Sequence, residues 1–187
     1  MRQAAALALA AMLAPALLGA QAITPAPLRT GEVAFAMRAT KVNDFVGHAP
    51  VAQAEFHGTD LANVTGVVVV HLVDMHTGIG LRDTHMRHAM HADSFPDIRF
   101  ELVGVEAGTT QGDSTAATFR GNMTIHGLTK EIRVPGYIVL HGASADVTAT
   151  FPLDMREYAI DPPTRFFGAI RVDPITTITV HLSFGPQ

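Results

Sequence analysis

Apolar and polar residues alternate in twos along most of this chain. Val33, Phe35, Met37 and Ala39 alternate with Glu32, Ala34, Ala36 and Arg38. Phe119, Gly121, Met123 and Ile125 stand between Thr118, Arg120, Asn122 and Thr124. The same beat recurs at Ala145, Val147, Ala149 and Phe151, and again at Ile178, Val180, Leu182 and Phe184. Successive side chains of a strand point to opposite faces, so each run predicts a strand with one apolar and one wet face. Residues 67–73 are almost continuously apolar and β-branched, as a strand covered on both sides would be. Ile98, Phe100 and Leu102 mark another strand, residues 132–140 a further one strained by Pro135-Gly136, and residues 53–56 a weaker one. Gly58-Thr59-Asp60, residues 108–113, His126-Gly127, His141-Gly142 and Asp161-Pro162-Pro163 supply the turns. Roughly seven or eight strands at this spacing, without strand–helix alternation, predict an antiparallel barrel or sandwich and argue against a doubly wound fold.

Residues 78–94 break the rhythm. Met86 and Met90 share one face at i, i+4, while Leu81, His85, His88 and Ala92 share another. This spacing predicts a single helix within residues 79–92. It stops before Phe95-Pro96, because proline disfavours helical backbone at the residue before it.

At 187 residues, 48% apolar and 16% charged, the chain can bury one core and is not of disordered composition. Residues 1–22 have the three parts of a secretory signal peptide. Met1-Arg2 opens them, an Ala/Leu/Met run broken by Pro15 follows, and Ala20 and Ala22 mark a cut after Ala22. The run is too short and alanine-rich for an anchor, and no later run nears the roughly 20 apolar residues of a membrane helix. Residues 23–31 then form a lead and 32–187 a single domain, periplasmic or secreted after cleavage. A net charge of −4 offers no footprint for nucleic acid. Lack of cysteine excludes disulfides, thiolate catalysis and cysteine-ligated zinc.

Two motifs carry a resemblance. The first is Thr77-Gly78-Ile79-Gly80-Leu81-Arg82-Asp83-Thr84-His85-Met86-Arg87, followed by Ser94-Phe95-Pro96-Asp97-Ile98-Arg99-Phe100. The second is Gly121-Asn122-Met123-Thr124-Ile125-His126-Gly127-Leu128-Thr129-Lys130. Both resemble the YceI-like family of exported lipid-binding proteins, with Ile79 where that family usually has Asn and Met86 where it usually has Leu. The resemblance extends from Glu32 to Phe184. It implies an all-β fold, an eight-stranded antiparallel lipocalin-like β-barrel with one short helix. It also implies an isoprenoid, quinone or fatty-acyl lipid held inside, without catalysis or cofactor.

A closed barrel of that size has an interior wide enough for its own side chains or for one slender ligand. The inward candidates are Phe35, Met37, Phe100, Leu102, Phe119, Met123, Ile125, Phe151, Ile178 and Val180, with Gly121 leaving free volume. Burying a methylene stabilises by about 0.8 kcal/mol, so such a lining can hold a long apolar tail without polar contacts. On periodicity alone a packed core is the simpler reading. The resemblance favours a tunnel. Arg82, Asp83 and His85 are then the residues expected to order the polar end. The partner is a lipid with a long apolar tail, and a homodimer stays open.

His85, His88 and His91 recur every third position, which on a helix sets successive imidazoles about 60° apart. With His76 or His57 as a further ligand they supply the alternative, a periplasmic metal-binding protein. Without a carboxylate or cysteine among them, a solvated helix face is the plainer reading. For catalysis the chain has no G-x-S-x-G, H-E-x-x-H, phosphate loop or dinucleotide fingerprint. Asp154 and Glu157 flank Arg156 and predict a surface ion pair.

Overall fold

The computed structural model describes residues 26–41, 43–58, 60–165 and 170–186. The predicted signal peptide lies outside the described residues. In chain order the strands are β1 (Leu28–Met37), β2 (Phe45–Pro50), β3 (Gln53–His57), β4 (Thr65–His71), β5 (Asp97–Gln111), β6 (Ser114–Ile125), β7 (Leu128–His141), β8 (Ser144–Asp154), β9 (Thr164–Arg165), β10 (Ile170–Arg171) and β11 (Ile175–Phe184). Helix α1 (Gly80–Ala89) lies within the predicted window, between β4 and β5. β9 and β10 form their own hairpin, and the rest make one antiparallel sheet in the order β2-β1-β11-β8-β7-β6-β5-β4-β3.

The sheet curls until its two edges meet in a single piece of chain. β2 pairs with β1 and β3 pairs with β4, yet only Val51 and Ala52 separate β2 from β3. The Val51 amide donates to the Gly31 carbonyl at 2.9 Å, and the Ala52 amide donates to the Val69 carbonyl at 2.9 Å. One crossing segment thus serves both edges. It breaks at Pro50, which has no N–H for a ladder, and so the expected eight strands become nine in the sheet.

Local sequence explains most element ends. β5 to β8 are joined by two-residue turns, and in one of them His126 (φ 52°) and Gly127 (φ 75°) are both left-handed. That geometry matches the right-handed twist of the strands it connects. The strand expected at 67–73 stops at His71, because Leu72–Asp74 turn as a 3-10 helix that buries Leu72. β1 begins at Leu28, ahead of the alternation, where Leu28 pairs with Phe184 of β11. β7 pairs with β8 only from Gly136 to His141. The preceding residue is Pro135, which again cannot donate. Beyond it the turn Met155–Tyr158 ties the two sides, with His126 Nδ1 donating to the Tyr158 carbonyl at 3.0 Å and Lys130 reaching Glu157 at 3.4 Å.

Inward phenylalanines lie over glycines of neighbouring strands. Phe35 covers Gly47, Phe56 covers Gly66, Phe100 covers Gly121 and Phe119 covers Gly136. A Cβ on Gly121 would come within 2.6 Å of the Phe100 ring, so the volume expected to be free there is filled. A ring seated on a glycine fills the space that the missing side chain leaves. Gly47→Ala is therefore expected to push the Phe35 ring off its seat and cost about 1–3 kcal/mol, the usual range for overpacking. A denaturation midpoint equal to that of the parent protein would contradict this seating.

Candidate functional site

The inward side chains gather in two clusters. One holds Leu102, Phe119, Met123, Ile125, Val134, Phe151, Met155 and Tyr158, with Phe100 packed against it. The other holds Phe35, Ala49, Val51, Val70, Leu72, Met75, Leu182 and Phe184. Met37, Phe56, Met90, Ile98, Val147, Ile178 and Val180 touch both clusters. All of these keep part of their surface accessible. Register explains the arrangement: Ile178 and Val180 share the inward face of β11 with buried Leu182 and Phe184, and Val147 shares that of β8 with buried Ala149 and Phe151. These partly accessible apolar side chains lie where the two clusters meet. Two surface grooves, of about 460 and 320 Å³, are lined largely by outward positions such as Arg38 and Thr177, or Glu32 and His181.

Helix α1 covers one end of this interior. Met86 packs against the second cluster and Met90 against both, so the predicted methionine face meets the barrel. Two contacts fasten the helix. The buried Asp83 carboxylate accepts from the Thr77 amide at 2.7 Å and from the Thr77 hydroxyl at 2.6 Å. The hydroxyl bond leads in holding this carboxyl below its ordinary value of 3.8, against desolvation, with the Thr77 amide and the charges of Arg87 and His76 adding to it. The Arg82 guanidinium sits 4.0 Å from the centre of the Phe45 ring, tying the helix to β2.

The YceI-like domain profile matches residues 27–184, a span that includes every strand described above. The chain belongs to the YceI-like family. No curated protein matches its sequence. Among solved structures, this YceI-like chain is similar to BcnA of Burkholderia cenocepacia, at 14% identity over 82% of this chain and 95% of that one, TM-score 0.65. It is similar to a domain of Saccharophagus degradans described as polyisoprenoid-binding and implicated in plant cell wall breakdown, at 11% identity over 86% and 97%, TM-score 0.66. It is also similar to the YceI protein of Campylobacter jejuni, at 12% identity over 79% and 88%, TM-score 0.61. At these identities the likeness shows a shared fold.

Within this YceI-like barrel the predicted lining divides. Met37, Ile178 and Val180 are partly buried and pack against both clusters, while Leu102, Phe119, Met123, Ile125 and Phe151 are buried in one cluster and Phe35 in the other. Phe56, Met90, Ile98 and Val147, outside the predicted lining, also pack against both clusters. Their signal was present in the alternating runs and in the methionine face. Of the predicted polar end, Arg82 and Asp83 lie together at the start of α1, and His85 is exposed. The histidine repeat does not stay on one helix face. α1 ends at Ala89, and His91 is left-handed (φ 47°) with its ring 4.8 Å from that of His126. Among the described residues no three His, Cys, Asp or Glu side chains group so as to hold a metal ion. Asp154 pairs with Arg156 at 2.6 Å while Glu157 turns to Lys130, so these carboxylates serve separate partners. No helix among the described residues is long and apolar enough to cross a membrane.

Proposed function

We propose that this chain is an exported, non-catalytic carrier that holds the apolar tail of an isoprenoid, quinone or fatty-acyl lipid between the two clusters. The observation that carries the reading is the ring of half-buried inward residues: Met37, Phe56, Met90, Ile98, Val147, Ile178 and Val180. In a finished core such residues would be buried on all sides. Left partly open, they present an apolar slot that water fills poorly and a hydrocarbon fills well, at about 0.8 kcal/mol per methylene. Membership in the YceI-like family supports the reading, as does the likeness to a polyisoprenoid-binding domain. The head group then lies toward the α1 end, where Arg82, Asp83 and His85 offer polar atoms and a charge need not be buried unpaired. Export rests on residues 1–22, whose composition is that of a signal peptide.

Organic extraction of the purified protein followed by mass spectrometry tests the proposal. A long-tailed lipid is expected in near-stoichiometric amount. Repeatedly empty extracts from a lipid-rich host, with added lipid also failing to bind, would overturn it.

A further inference from the structure

We propose that His48 and His76 form a binding site for one late first-row divalent metal ion, Zn2+ or Cu2+, at the seam where the barrel closes. The two residues face each other across an isolated antiparallel bridge. The His48 amide donates to the His76 carbonyl at 2.8 Å, and the His76 amide donates to the His48 carbonyl at 2.9 Å. Directly opposed residues of such a bridge project from the same face. That face is the outer one, since the neighbours of His48, Gly47 and Ala49, are buried inward.

The ring chemistry is what singles out this pair. His48 Nδ1 lies 2.7 Å from the Glu32 carboxylate, and His76 Nδ1 lies 3.2 Å from the Asp74 carbonyl. Both partners only accept, so the proton of each neutral imidazole sits on Nδ1 and the lone pair on Nε2. A metal-binding histidine is ordinarily oriented in this way, its second nitrogen donating to a carboxylate or carbonyl. The ring centroids are 6.1 Å apart with planes tilted by 31°. One ion held about 2.0–2.1 Å from each Nε2 sets imidazole centres about 5–6 Å apart, close to the separation of these two rings. Two imidazoles leave the remaining positions to water, and the site is therefore exchangeable rather than structural.

An ion there would do mechanical work. It links β2 to the chain segment whose next residue, Thr77, holds Asp83 of α1, so it stiffens both the seam and the fastening of the helix. This site is separate from the His85, His88 and His91 repeat and does not depend on the lipid reading.

Titration calorimetry of the full chain with Zn2+ and with Cu2+ near neutral pH tests the proposal. One ion should bind, more tightly for copper, as the usual order of stability requires. His48→Ala and His76→Ala should each weaken binding by at least about tenfold, and Glu32→Ala by about tenfold through loss of the orienting carboxylate. His88→Ala, which removes the exposed helical neighbour of His85, should leave the affinity unchanged. The ion should also raise the melting temperature of the parent protein but not that of His76→Ala, provided both are folded by circular dichroism. Absence of saturable binding, or binding that survives the His48→Ala/His76→Ala double substitution, overturns the site.

Discussion

Val180→Trp is expected to empty the barrel of apolar ligand while the domain still unfolds cooperatively. Val180 points inward from β11 and touches both clusters, yet it remains partly accessible. On the proposed reading, an indole there extends between the clusters, where the tail would lie. Displacing only two methylenes of a bound tail forfeits about 1.6 kcal/mol, which already exceeds a tenfold change in affinity. Lipid recovered per mole of protein should therefore fall at least about tenfold, and Ile178→Trp should act alike. Val180→Ala enlarges the same space and should retain the ligand. Equal lipid recovery from Val180→Trp and the parent protein would place the tail elsewhere. Met123 gives a contrast, because it is buried in one cluster and an indole there would overpack the core.

Strand faces could be read from the chain because period two is a local property. Ile178, Val180, Leu182 and Phe184 fall on one face of β11 as their alternation requires. What escaped was set by contacts between distant segments. β2 carries little alternation of its own, with Gly47 at an inward position where Phe35 of β1 supplies the missing side chain. Gly121 looked like free volume for the same reason, since nothing near it in sequence announces the Phe100 ring. Division of the lining into buried and accessible residues is likewise a property of the closed barrel. It depends on which stripes meet across the axis, and no single strand contains that information. The histidine repeat misled in the opposite direction: its spacing assumed a helix continuing to His91, but the chain turns left-handed there.

Asp83→Ala is expected to destabilise the domain by roughly 2–3 kcal/mol, the scale of losing hydrogen bonds to a buried charged group. The melting temperature should drop by about 5–10 °C for a domain of this size. The residue is the hinge between two parts of the site: it lies in the first turn of α1, where a negative charge is favoured, and both its bonds go to Thr77 in the preceding segment. Because the Thr77 donors hold the folded-state value below the ordinary 3.8, this contribution is complete above that value. It is lost as the pH falls through the lower, folded-state value, when the carboxyl takes up a proton and accepts less well. The stability gap between the parent protein and Asp83→Ala should thus be widest near neutrality and narrow below about pH 4. Asp83→Asn, which keeps one acceptor but no charge, should fall between them. Chemical denaturation of all three proteins from neutral pH into acid measures the gap, and a gap of constant size down to the acid limit would show that the charge on Asp83 does not fasten the helix. If it does fasten it, the consequence reaches the lumen. Met86 on this helix and Met90 just past its end pack against the barrel's clusters, so Asp83→Ala should also speed lipid release, and acid should do the same to the parent protein.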